Sequence, residues 1–348
     1  MARKPAPTDA DLCPASPFPM PESRNRVVGH DAGLEFIRQR IAENAFAGGW
    51  LIVGPEGVGK STLAFQAARA ILGATGDGVA AQRAAALIAA GAHPDLFVAR
   101  PEWNPKTQKF AADIAVSTIR NLIHFMSRTA GMGGWRVAIV DSADELNRNA
   151  ANALLKVLEE PPSKAVLMLT SARAGRLLAT IRSRCRRIEL RSVERSVVAQ
   201  FLREETDGAA GDVEKIADAA AGRPGLALRL ALGDGATALA AVEDFIRSSA
   251  TGRTPESIAR LTAKGSESAF DLFETLLLDR LAATIRSKAL AGAEESEMEA
   301  LVAAYDGARD QFARGAGLNF DRVQIAGAVA RALARAGVGR MAGVGTTG

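Results

Sequence analysis

Cysteine is nearly absent from this 348-residue chain, with Cys13 and Cys185 the whole supply. Two cysteines exclude a disulfide framework and a four-cysteine zinc site. Histidine is almost as scarce. His30, His93 and His124 lie far apart with no metal-ligand spacing, and each reads as a structural or exposed residue. Aromatic residues make up only 5% of the chain, so its cores must be built from Leu, Ile, Val and Ala, a supply that favours closely packed helices. No apolar run approaches the ~20 residues needed to span a bilayer, and the N-terminus carries no apolar signal-peptide core. A cytoplasmic location with no membrane contact is expected.

The net charge of +4 is too small to announce nucleic-acid binding by itself. It is unevenly spread, however: residues 173–203 hold nine arginines against two glutamates. Such a run reads equally as a solvated surface or as a face for phosphate backbones, whose binding would weaken steeply with salt.

The length suits two or three domains. Residues 1–23 hold six of the fourteen prolines and little apolar pattern, and read as a disordered leader. Short apolar runs follow near residues 50, 96, 137, 166 and 187, with helical patterns between them. That alternation predicts an α/β doubly wound parallel sheet over 24–191. Residues 103–113 are polar and read as a loop. Ser117 is a possible N-cap of the helix that follows. After Ser192 no strand pattern remains. Residues 192–235 read as a small domain of three short helices, residues 236–336 as a domain of longer amphipathic helices, and residues 337–348 as a flexible tail.

Two stretches carry chemistry. The first is GPEGVGKS at 54–61, between an apolar run and a helical one, which is the phosphate-loop pattern in its required strand–loop–helix context. Gly54, Gly57 and Gly59 let backbone N–H groups converge on phosphate oxygens, and the helix start at Lys60, Ser61 and Thr62 adds partial positive charge. Lys60 can reach the β- and γ-phosphates of ATP, and the Ser61 hydroxyl can ligate Mg²⁺.

The second stretch is 141–162. Asp141 ends the apolar run 137–140, where an acid can hold Mg²⁺ directly or through water. The next residue is Ser142, which cannot serve as a carboxylate base, so ATP binding is better supported than turnover. Asp144 either substitutes in part for that base or, the reading its position favours, caps the helix over 147–160, which Pro161 and Pro162 terminate. Thr170 and Ser171, at the end of another strand pattern, offer hydroxyls that either sense a γ-phosphate or simply close the strand.

The sequence LNRNAANALLKVLEEPP at 146–162, with RSRC at 182–185 and HPD at 93–95, resembles the clamp-loader branch of the AAA+ ATPases over about residues 27–232. The resemblance implies an AAA+ nucleotide-binding domain at 24–191, a helical lid at 192–235 and a helical collar at 236–336. It also implies a hetero-pentameric ring with other clamp-loader subunits, which places a sliding clamp on primed DNA for the DNA polymerase III holoenzyme. By matching position, Arg184 would be an arginine finger acting on a neighbour's ATP. Motor subunits of this family carry an acid where Ser142 stands and an arginine sensor where Gly225 stands, so the implied role is a non-motor stator. The alternative is an active ATPase motor of the same ring. Relatives commonly hold zinc through four cysteines in the region matching 73–92, where this chain has none, so no zinc is expected.

Overall fold

The apolar runs become strands because they can bury both faces. In chain order the strands of the computed structural model are β1 (Gly48–Val53), β2 (Leu96–Ala99), the short β3 (Trp103–Asn104) and β4 (Lys109–Phe110), β5 (Arg136–Val140), β6 (Ala165–Ser171) and β7 (Arg186–Glu189). The structure describes residues 18–104, 109–132, 134–208, 211–249, 253–263, 267–318 and 321–338. Residues 1–17, most of the expected leader, and 339–348, most of the expected tail, lie outside them, as does Cys13.

Five strands form one parallel sheet in the order β2-β5-β6-β1-β7. Every residue of β5 and β6 is buried. Side chains alternate across β1. Trp50 and Ile52 join a core with Ile37, Leu63 and Phe65, while Leu51 and Val53 join one with Ile119, Leu122 and Leu154. A parallel sheet covered on both faces requires this double burial.

The first helices are α1 (Asp31–Ala42), α2 (Lys60–Ile71), α3 (Val79–Ala89), α4 (Val116–Ser127), α5 (Arg148–Glu159), α6 (Ala179–Arg184) and α7 (Arg195–Glu205). Helix α5 shows how local sequence sets bounds. The Asn147 side chain accepts from the Ala150 N–H at 2.9 Å, a cap contributing about 1 kcal/mol. Pro161 and Pro162 end the helix, and Ala150, Leu154, Val157 and Leu158 face the core.

Three expectations are corrected. Residues 18–23 are not a free leader: Pro21–Ser23 form a 3-10 turn, and the Arg69 guanidinium donates to the Glu22 carbonyl at 2.7 Å. The polar stretch after Trp103 is not all loop, because β3 and β4 pair as an antiparallel ribbon with the Trp103 and Phe110 rings 5.2 Å apart. Ser117 lies inside α4, whose N-cap is Ala115 with no side-chain bond.

The remaining helices are α8 (Val213–Ala220), α9 (Pro224–Leu232), α10 (Gly235–Ser248), α11 (Ser257–Leu261), α12 (Glu267–Leu290), α13 (Glu295–Leu318) and α14 (Arg322–Arg335). No strand follows β7 among the described residues. The chain divides into two compact units. The first is Met1–Asp207 with Ala220–Leu228 and contains the sheet; the second is Gly208–Ala219 with Arg229–Gly348. In the second, Phe273 contacts Phe245, Phe270 and Phe312 with ring centroids 5.2, 5.8 and 6.3 Å away. Offset and edge-on ring packing adds to the apolar burial of that unit.

Candidate nucleotide site

The site lies where the parallel strands β1, β5 and β6 end. Strand β1 runs into the loop 54–59, and α2 starts at Lys60 with Gly59 as its N-cap at φ 111°. Gly57 has φ 78°, and a Cβ there would lie 2.7 Å from the Leu226 backbone nitrogen. Only glycine meets both conditions. The Gly225 N–H donates to the Gly57 carbonyl at 2.8 Å, so the start of α9 rests on the loop. A Cβ at 225 would sit 3.0 Å from that carbonyl oxygen. Gly225 is therefore more than a missing arginine; its lack of a side chain permits the approach.

Lys60 is buried, and its ammonium donates to the carbonyls of Gly54 at 3.0 Å and Pro55 at 2.8 Å. Burial lowers its pKa, against the opposing pull of Glu56, Asp144 and Asp141. Thr62 follows, half-buried, in the same first turn. The His30 ring reaches the loop from the other side: its Nε2–H donates to the Val58 carbonyl at 3.0 Å.

Asp141 gathers three partners. The hydroxyls of Ser61 at 2.5 Å and Thr170 at 2.9 Å both donate to its Oδ1. The Arg100 Nε–H donates to Oδ2 at 3.3 Å. Serine and carboxylate oxygens are the hard donors that Mg²⁺ prefers, so Ser61 and Asp141 fit that ion. A cavity of about 590 Å³ opens beside Gly54 and Pro55, with Arg173, Arg187 and Arg191 in its lining. Its size is in the range of small-molecule sites.

Asp144 does not cap α5, as the sequence suggested; Asn147 does. Its carboxylate instead accepts from the Ser171 hydroxyl at 2.8 Å, the Ala172 N–H at 2.6 Å and the Arg173 N–H at 3.2 Å. The Ser142 hydroxyl donates to it as well, at 3.1 Å. The adjacent hydroxyls of β6 thus divide, Thr170 to Asp141 and Ser171 to Asp144. Glu145 is shifted toward its neutral form by burial first and by Asp141 next.

The sequence motifs separate in space. Ser61, Asp141 and Thr170 converge. Arg184, at the end of α6, instead pairs with Glu159 of α5 at 2.8 Å and donates to the Thr180 carbonyl at 3.1 Å. Its side chain is 35% exposed. The HPD motif braces the fold: Asp95 accepts the N–H groups of Gly131 at 2.6 Å and Met132 at 2.9 Å, ordering the turn before β5. Cys185 packs against the core, and burial pushes its thiol up to about 12.

Sequence reasoning missed Glu22, Arg100 and the contact of His30 with the loop. No local spacing marks them, since Glu22 and Arg100 are 78 residues apart. Among the described residues no group of acids, histidines and cysteines is arranged to hold a metal ion of its own, and no single helix is long and apolar enough to cross a membrane.

The buried imidazoles predict a pH dependence of stability. Burial lowers the pKa of both His30 and His93 below the ordinary 6.5, and the His93 Nδ1 accepts the Asp95 N–H at 3.1 Å. The native state therefore binds fewer protons than the unfolded one. This stabilisation is complete above about pH 6.5 and is lost as pH falls through the lower native values. Urea unfolding between pH 7.5 and 5 should show the loss, and the His93→Gln variant should show a smaller decline than the parent.

Comparison with known proteins agrees with this geometry. The family model described as "DNA polymerase III, delta subunit" matches residues 29–194. The delta' subunit of DNA polymerase III from Pseudomonas aeruginosa is 44% identical over 151 residues, covering 41% of this chain and 42% of that protein. The delta' subunit from Escherichia coli is 36% identical over 152 residues, 44% of each chain. The gamma subunit from Buchnera aphidicola is 26% identical over 186 residues, 53% of this chain and 49% of that one. The chain spans less than half the length of the delta' relatives that it matches. The glycine-rich loop, the Asp141 cluster and the α5 motif all lie inside the matched segment, so residues 29–194 are similar to the DNA polymerase III delta-subunit family and to bacterial delta' subunits.

Proposed function

We propose that this protein is a non-motor, stator subunit of the replicative clamp loader, which binds ATP with Mg²⁺ and hydrolyses little of it. It would sit in a hetero-pentameric ring, help place the sliding clamp on primed DNA, and present Arg184 to a neighbouring subunit's ATP. The observation that carries this reading is the commitment of the acids around Asp141. Position 142 is serine, and the carboxylate two residues on, Asp144, is saturated by Ser142, Ser171 and two backbone amides. Neither position offers a free carboxylate to activate a water. Lys60, Ser61 and Asp141 still offer what ATP and Mg²⁺ need. Lys60 can reach the terminal phosphates and the helix start can receive their charge, while bound Mg²⁺ would neutralise the phosphate oxygens.

The experiment compares the isolated chain with the reconstituted ring. ATP turnover by the isolated chain is expected at background level, with binding retained. Robust turnover that disappears in Lys60→Ala would overturn the stator reading in favour of a motor subunit.

A further inference from the structure

The Asp141 carboxylate is shared with a cation that the chain itself supplies. Arg100, on the residue after β2, donates one N–H to Asp141 Oδ2 at 3.3 Å. Its other two nitrogens form a fork on Glu22, at 3.0 Å to each carboxylate oxygen. The guanidinium also lies over the Phe65 ring, 5.5 Å from its centre. All three charged side chains are largely covered, at 27% exposure for Arg100, 17% for Glu22 and 15% for Asp141.

Glu22 is itself fixed. Its backbone carbonyl accepts from Arg69 at 2.7 Å, and two residues on, the Arg24 carbonyl accepts from Gln66 at 2.6 Å, both donors being on α2. Arg24 then pairs with Glu205 of α7 at 2.8 Å. The segment 20–26 thus straps across the helix that begins at Lys60 and ends its grip on Asp141 through Arg100.

The two sides of Asp141 differ in how easily they yield. Ser61 and Thr170 hydroxyls can turn away from Oδ1 when a divalent cation takes it. Arg100 cannot turn away, because a bidentate fork and an aromatic face hold its plane. A cation at Asp141 must therefore share the carboxylate with a fixed positive charge, and Glu22 decides how much of that charge Asp141 feels.

We propose that Arg100, clamped by Glu22, is a positioning residue that sets how strongly Asp141 takes a divalent cation, so that the N-terminal strap tunes the metal dependence of nucleotide binding. The inference rests on the reading of this site as one for ATP. The two partners act with opposite sign. Without Arg100, Asp141 is freed for the metal. Without the Glu22 charge, Arg100 falls on Asp141 alone and opposes the metal more.

The test measures the affinity of the full chain for a fluorescent ATP analogue with saturating Mg²⁺ and again with EDTA. The ratio of the two cancels any direct effect of the variants on phosphate charge. Arg100→Gln should raise the Mg²⁺ gain by about five- to tenfold, the upper part of the range for one intramolecular hydrogen bond, since Arg100 gives Asp141 a single bond at 3.3 Å. Glu22→Gln should lower it by a similar factor, and Arg100→Lys, which keeps the charge but cannot hold the planar fork on Glu22, should move it in the direction of Arg100→Gln by less. A merely structural role would move both glutamine variants the same way. If the parent binds and the ratio is unmoved, or moves in one direction in both variants, the inference is overturned while the ATP site stands. If the parent binds the analogue under neither condition, the ATP reading falls and takes this inference with it. Should Arg100→Gln fail to fold, Glu22→Gln alone decides: the inference requires a smaller Mg²⁺ gain, and an unmoved or larger gain overturns it.

Discussion

Replacing Arg184 with alanine is expected to lower ATP turnover by the assembled ring by roughly 10³-fold or more, with the ring still formed. An arginine that completes a neighbour's site stabilises the charge spreading over the transferred phosphoryl group and is worth about 10³–10⁵ in rate. The geometry suits a residue offered outward. Arg184 ends a six-residue helix, keeps 35% of its side chain exposed and makes no bond to the Lys60–Asp141 cluster of its own chain among the described residues. Glu159 holds the guanidinium at 2.8 Å, which restricts its rotamers before any partner arrives. A surface pair of this kind contributes little stability, so the alanine variant should fold and assemble normally. Arg184→Lys should recover only part of the rate, since an ammonium cannot form the planar fork. Assembly is followed by gel filtration and turnover by phosphate release. Unchanged turnover in an intact Arg184→Ala ring would remove Arg184 from this role.

The second large effect is at Lys60. Lys60→Ala should weaken ATP binding by the isolated chain by about ten- to a hundredfold, corresponding to the loss of hydrogen bonds to a charged group in a partly desolvated site. Lys60 is buried and its ammonium is bonded to the carbonyls of Gly54 and Pro55, so a terminal phosphate would draw it only a short way along its flexible stem. Lys60→Arg keeps the charge but carries a bulkier head into a buried position, and an intermediate affinity is expected. Titration with a fluorescent ATP analogue, alongside thermal unfolding to verify the fold, checks both variants. Full affinity in a folded Lys60→Ala variant would mean that the loop is not the phosphate site.

The motifs and the apolar runs were readable because they are local. The five strands of the sheet announce themselves as short apolar stretches that only a doubly covered sheet can bury, and α5 carries its own cap at Asn147 and its own stop at Pro161. Residues 54–61 need only one strand and one helix around them to be understood. The role of Asp144 is not legible in the sequence, for the converse reason. Its position favours a helix cap, but β6 brings the Ala172 and Arg173 amides to it from 28 and 29 residues away, and three donors outcompete one.

By itself, then, the sequence determined that a glycine-rich loop joins a strand to a helix at residues 54–61, where the parallel strands lie, and that serine follows Asp141. These follow from periodicity, turn chemistry and residue type over a few positions. Tertiary structure alone decided the company that Asp141 keeps. Ser61, Thr170, Arg100 and, through Arg100, Glu22 meet there only because β1, β2, β5 and β6 end side by side and the strap at 20–26 crosses α2. Charge pairing acts through space over a few ångströms, and no spacing along the chain encodes it.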